Sequence, residues 1–176
     1  MDKVHARMFF RDAVSVNEVV SRVAFTADSV GAKYRMANFY EVGQEKIREF
    51  AVAVQDDHPA HFSEEAARDL GHDALIAPVT FASVLGVITT LEMFEHYGWS
   101  SDLRNIMQTD QRFVFHRPIV AGDRLRGETC IESFRHMAGN DVIATANYLL
   151  DDKDEIVQTT YTTLIRRDDI GAGGEL

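Results

Sequence analysis

One stretch limits the folds open to this chain more than any other. From 79 to 94, directly after Pro78, the residues are apolar almost without interruption until Glu92. Phe81, Val84, Leu85, Val87, Ile88 and Leu91 leave nearly no polar face, so a helix built from them is expected to be buried nearly all round. With Gly98 as its terminator, such a helix is about 27 Å long. It needs something to wrap it, and the second half of the chain supplies strands. Segments 112–116, 123–134, 141–150 and 155–165 alternate apolar and polar residues and are rich in Thr and Val. Ala138-Gly139-Asn140-Asp141 and Asp151-Asp152-Lys153-Asp154 are short enough to be hairpin connections, which makes the last three strands an antiparallel meander. The expected fold is therefore α+β, an antiparallel sheet curled around one long apolar central helix. Such a sheet has an open edge, and continuing it into a second subunit is the simplest way to cover that edge.

The rest of the chain fits around this core. Val16, Val19, Val20 and Val23 form a helical stripe with Ser15 as cap, in a segment, 1–28, that reads as an N-terminal extension with a short amphipathic helix. Residues 29–167 form the domain, and the acidic, glycine-rich 168–176 should be a flexible tail. A second stripe, Ile47, Phe50, Ala51 and Val54, predicts a one-faced helix over 44–54, ended by Asp56, Asp57, His58 and Pro59. Ser63 then caps a short helix with Glu64 and Glu65 in its first turn and Gly71 as its stop.

Composition narrows the function. The net charge of −10 argues against nucleic acid or an anionic membrane surface as the main partner, and no apolar run approaches the roughly 18 residues of a membrane span. The charged N-terminus shows no secretory leader, so the cytoplasm is the expected compartment. Cys130 is the single cysteine and can form neither an intrachain disulfide nor a cysteine metal site. Residues 41–73 hold nine carboxylates against three cations, whereas 104–126 hold Arg104, Arg112, Arg117, Arg124 and Arg126 against Asp110 and Asp123. Arg112, Arg117, Arg124 and Arg126 are candidate contacts for a phosphate or an acidic carrier, or else residues of solvated strand faces.

The polar cluster Gln55-Asp56-Asp57-His58-Pro59-Ala60-His61 lies on a loop between two helices. It has three readings. The carboxylates end a helix and the imidazoles are merely solvated; or His58 and His61 ligate a metal with an aspartate, which would need a further well-aimed ligand; or Asp56 and His61 are an acid/base pair acting on one substrate.

The heptapeptide resembles the hydratase-2 motif of the MaoC-like hot-dog family, usually Gly-Asp-x-Asn-Pro-x-His. Asp56, Pro59 and His61 match, while Gln55 and His58 replace Gly and Asn. VGAKYRMANFYEVGQEKIREFAVAV, LIAPVTFASVLG, QRFVFHRPIVAGDRL and QTTYTTL look, in that order, like the actinobacterial (3R)-hydroxyacyl-ACP dehydratase subunits of type II fatty acid synthase, over about residues 29–167. The resemblance implies a hot-dog fold without metal or other cofactor that takes an acyl-ACP or acyl-CoA thioester in fatty acid or mycolic acid elongation. Water leaves a (3R)-3-hydroxyacyl group by syn elimination, with Asp56 and His61 as the catalytic pair. It further implies a homodimer or a heterodimer with a related hot-dog subunit.

The thioester oxygen needs fixed donors at the start of the central helix. The resembling hydratases usually carry a glycine where this chain has Pro78, which lacks an N–H, so Val79 and Thr80 are the expected oxyanion donors. Phe81, Val84, Met93 and Phe94 are candidates for the acyl-chain lining, or plain core. Tyr97 and Trp99 either close a tunnel or cap the core, and Phe113 and Phe115 are expected to be buried. The alternative function is a non-catalytic acyl-binding subunit that stabilises a catalytic partner; thioester hydrolysis is a third reaction the fold supports.

Overall fold

The computed structural model describes residues 26–97 and 106–167. The expected helix at 15–25, the acidic tail, Gly98, Trp99 and Arg104 lie outside the described residues. A 3₁₀ turn (Ala27–Ser29) leads into β1 (Lys33–Arg35) and β2 (Tyr40–Glu41). There follow α1 (Gln44–Ala53), a 3₁₀ turn (Pro59–His61), α2 (Glu64–Asp69), α3 (Ala82–His96), β3 (Ile106–Phe115), β4 (Arg124–Met137), β5 (Asn140–Leu150) and β6 (Ile156–Arg167). The strands pair antiparallel in the order β1-β4-β5-β6-β3, with β2 also on β4. The fold is the α+β hot-dog, an antiparallel sheet against a long central helix.

The meander forms because its turns can. Ala138 and Gly139 both take positive φ, 50° and 73°, between paired Met137 and Asn140, the backbone of a tight hairpin whose twist matches the strands. The strands therefore run further into the turn than the alternation at 123–134 indicates. In the next turn the Asp151 carboxylate accepts from the Lys153 and Glu155 backbone N–H groups at 2.9 and 3.0 Å. β3 pairs only with β6 among the described residues, so its outer edge is open.

Two apolar clusters bind α3 to the sheet. Phe81 and Leu85 meet Leu125, Leu149 and Val157 at one end, and Met93 and Phe94 meet Ile131, Ile143 and Leu164 at the other. Between them the helix comes so close to β4 that a Cβ on Gly127 would lie 1.9 Å from Thr89 Oγ1. Only glycine allows that approach.

Three expectations are corrected. The central helix begins at Ala82 rather than 79, because Val79–Thr80 form the bend of a turn closed by Phe81 N–H donating to Pro78 O at 2.9 Å. It is also not buried all round: Val87 is 58% exposed, since the helix leans toward β4 and leaves its other flank uncovered. That flank borders a groove of about 140 Å³ between Gly86, Val87 and Leu91 and the sheet residues Gln111, Asn147 and Thr160. Phe113 packs on the core as expected, but Phe115, stacked on it at 5.9 Å, is 52% exposed near the end of the open-edged strand.

Candidate active site

The end of α1 sets where the polar loop begins. Gln55 N–H donates to Val52 O at 3.2 Å and Asp56 N–H to Ala51 O at 2.9 Å, a paired closure that requires a left-handed residue at Gln55, with φ 59°. This is the position where the resembling motif has glycine, and the conformation explains that preference.

His58 stands where the resembling motif has Asn, a residue type that also caps helices. Its Nδ1 accepts from Ala60 N–H at 3.2 Å and caps the 3₁₀ turn, with Pro59 at the first position, where no N–H is needed. The turn swings His61 inward. His61 is 7% exposed, and its Nδ1 donates to Ile76 O at 2.7 Å, because a carbonyl can only accept. Its Nε2 is then 3.2 Å from Asp56 Oδ2.

With Nδ1 carrying its hydrogen for Ile76, the contact between Nε2 and the carboxylate is a hydrogen bond only if one further proton lies between them. A proton placed there can pass between the imidazole and the carboxyl. The His58 backbone N–H, donating to Asp56 Oδ1 at 3.3 Å, holds the Asp56 carboxyl below its ordinary value; partial desolvation opposes this, and the His61 ring adds to the lowering.

Chain connectivity carries the site to the helix. Ile76 N–H donates to Ala60 O at 3.1 Å, and Ala77 and Pro78 are buried beyond it. The exposed Val79 and Thr80 follow, and neither N–H has a backbone acceptor among the described residues. Ala82 and Ser83, in the first turn of α3, open the groove.

Of the expected acyl-lining residues, Phe94 borders the groove. Phe81 and Met93 are core, and Val84 packs on the first cluster. The sheet side of the groove is formed by Gln108, Gln111, Thr145, Asn147, Thr160 and Thr162, yet the surface the groove presents is mostly apolar. Of the four candidate arginines, Arg124 and Arg126 come together over the ring of Phe39, at 4.9 and 4.8 Å, while Arg112 and Arg117 have other partners. Arg112 stacks on Tyr161 at 4.2 Å, Arg117 bonds Asp123 at 2.8 Å, and Arg126 also bonds Asp154 at 2.7 Å. Asp123 also accepts from Val120 N–H at 2.9 Å, a turn role. Tyr97 Oη donates to Lys33 O at 2.8 Å, tying the helix end to β1. Among the described residues no three His, Cys, Asp or Glu side chains gather where they could hold a metal ion.

The partner carbonyl of Ile76 had no signal in the sequence, since a backbone acceptor has no residue type. The cap at His58 did have one: an acceptor nitrogen three residues before His61 and directly before a proline.

Known proteins match the chain in sequence and fold. The family model for the FAS1-like, dehydratase domain region covers residues 28–160. A UPF0336 protein of Mycobacterium tuberculosis is 45% identical over 143 residues, 81% of this chain and 86% of that one. Among solved structures, the C-terminally truncated HadBC (3R-hydroxyacyl-ACP dehydratase) complex from M. tuberculosis aligns at 46% identity with a TM-score of 0.71, over 78% of this chain and 97% of that chain. A MaoC-like dehydratase aligns at 42% identity and a TM-score of 0.73, over 80% of this chain and 43% of the other. Asp56 and His61 lie within the matched span, and the chain belongs to the FAS1-like dehydratase domain family, with MaoC-like hot-dog dehydratases as its structural neighbours.

Proposed function

We propose that the chain is a hydro-lyase that interconverts (3R)-3-hydroxyacyl and trans-2-enoyl thioesters through Asp56 and His61. The observation that carries this reading is the 3.2 Å approach of His61 Nε2 to Asp56 Oδ2, with Nδ1 engaged on Ile76 O. With the proton on His61, the Asp56 carboxylate takes a proton from water as its oxygen bonds C3, and Nε2–H gives its proton to C2. With the proton on Asp56, the reverse runs: Nε2 takes the C2 proton while the carboxyl protonates the departing hydroxyl, and water leaves from the same face. One such positioned proton transfer is worth about 10²- to 10⁴-fold in rate. The Val79 and Thr80 N–H groups are the donors for the enolate oxygen, beside the positive end of α3.

The thioester is taken to be carried on acyl carrier protein, as printed for the HadBC relative, with its chain along the groove beside α3. That relative is a complex, and the open edge of β3 suits a second hot-dog subunit here. Pro78, without an N–H at the helix mouth, favours a second reading: a subunit that holds the acyl chain for a catalytic partner.

The test supplies (3R)-3-hydroxyacyl thioesters to the purified chain, alone and with a catalytically dead hot-dog partner, and follows enoyl formation. Turnover in either case supports the proposal. Acyl binding without turnover, restored only by a partner with its own Asp/His pair, supports the second reading instead. Release of free thiol would indicate hydrolysis.

A further inference from the structure

We propose that His58 is a positioning residue for the Asp56–His61 pair and makes the geometry of that pair depend on a third titratable group; this rests on the pair acting as proposed above.

His58 makes three hydrogen bonds within the loop, two of them to the pair itself. Its N–H donates to Asp56 Oδ1 at 3.3 Å, its carbonyl accepts from His61 N–H at 3.0 Å, and its Nδ1 accepts from Ala60 N–H at 3.2 Å. The first two are backbone contacts that any residue could make. The third belongs to the side chain.

A helix cap is ordinarily an oxygen of Ser, Thr, Asp or Asn. An imidazole caps only through an unprotonated nitrogen, and imidazoles are the side chains that gain protons between about pH 5 and 8. Once His58 is protonated both ring nitrogens are donors, and Nδ1 faces the Ala60 N–H donor to donor. Ala60 is 1% exposed, so water cannot readily replace the lost acceptor. Pro59 has no N–H, which leaves Ala60 as the donor that the cap serves. Uncapping therefore loosens the turn whose last residue is His61, while His58 itself, exposed to solvent, carries its charge at little cost.

The charges around His58 are mainly on its own loop: Asp56 and Asp57 before it, and His61, with ring centroids 5.6 Å apart. α1 and α2 pack on the turn. Their Lys46–Glu49, Arg48–Glu45 and Arg68–Glu64 pairs are internal to each helix, leaving Glu65 and Asp69 as the remaining carboxylates of α2.

The experiment measures enoyl-thioester hydration from pH 5 to 8 for the full chain, with its hot-dog partner where turnover requires one, and follows the Ala60 backbone amide by NMR over the same range. The unmodified chain should lose kcat on the acid side with KM unchanged, and the Ala60 signal should move with the same midpoint. His58→Asn, which caps through an oxygen that does not titrate, should rescue the acid-side rate and hold the Ala60 signal constant. His58→Ala, uncapped throughout, should lower kcat about five-fold at the alkaline end of the range, the effect of losing one cap, and approach the unmodified chain on the acid side. An acid limb that is the same in His58→Asn as in the unmodified chain overturns the proposal, as does an Ala60 signal indifferent to pH. Full activity in His61→Ala would instead remove the pair itself, a separate outcome that leaves the Ala60 titration in place.

Discussion

His61 points its Nδ1 at the carbonyl of Ile76, 2.7 Å away, and this single backbone acceptor decides which of its two nitrogens is left for chemistry. The imidazole cannot flip its tautomer without losing that bond in a buried setting. Nitrogen-15 NMR of the imidazole should therefore show Nδ1 protonated at neutral pH, and the Nε2 shift should change when Asp56→Asn replaces the carboxylate 3.2 Å away. A bare Nδ1 with an Nε2–H tautomer would refute the arrangement.

Asp56 carries a pH signature. Its folded-state pKa lies below the ordinary 3.8, so the carboxylate's stabilising contribution is full above that value and is lost only as the pH falls through the lower folded-state value. The stability difference between the unmodified chain and Asp56→Asn, measured by urea unfolding, should be constant from neutral pH down to about pH 5. It should begin to close only below that. A gap that closes between neutrality and pH 5 would mean that a different group is responsible.

The contact of Gly127 with Thr89 tests how α3 is seated. A methyl group at Gly127 would meet Oγ1 at 1.9 Å and Cβ at 2.9 Å, forcing the helix off β4. Gly127→Ala should cost about 1–3 kcal/mol, seen as a fall in Tm, and Thr89→Ala should restore part of it by removing the nearer atom. An unchanged Tm would place the helix elsewhere.

Much of this was legible in the sequence because periodicity reports burial. The meander, α1, α2 with its Ser63 cap, and the apolar identity of α3 all follow from which side chains recur at which spacing. β1 and β2 were not legible, being three and two residues long and too short to show alternation. The groove was hidden for a different reason. Apolar residues on α3 read as buried whichever neighbour buries them, so Val87 gave no sign that the chain's own sheet leaves it uncovered. The same ambiguity left Phe81 and Met93 as candidates for lining as well as for core, and packing put both in the core.

The turn at the helix mouth allows a clean probe of the oxyanion donors. Val79 is the first central residue of the turn closed by Pro78 O and Phe81 N–H, a position that proline favours. Val79→Pro thus deletes one N–H with little disturbance of the turn, and hydration kcat should fall about 10²- to 10³-fold with Tm nearly unchanged. A full rate would assign the oxyanion to other donors.

The reading as a whole stands on two side chains from one loop. Its most direct measurement is the rate of hydration of a trans-2-enoyl thioester by Asp56→Asn and His61→Ala beside the unmodified chain, each in the same assembly and each checked for an intact fold by circular dichroism. The expected result is turnover in the unmodified chain and a loss of at least about 10²-fold in each variant. Equal rates in all three would contradict it.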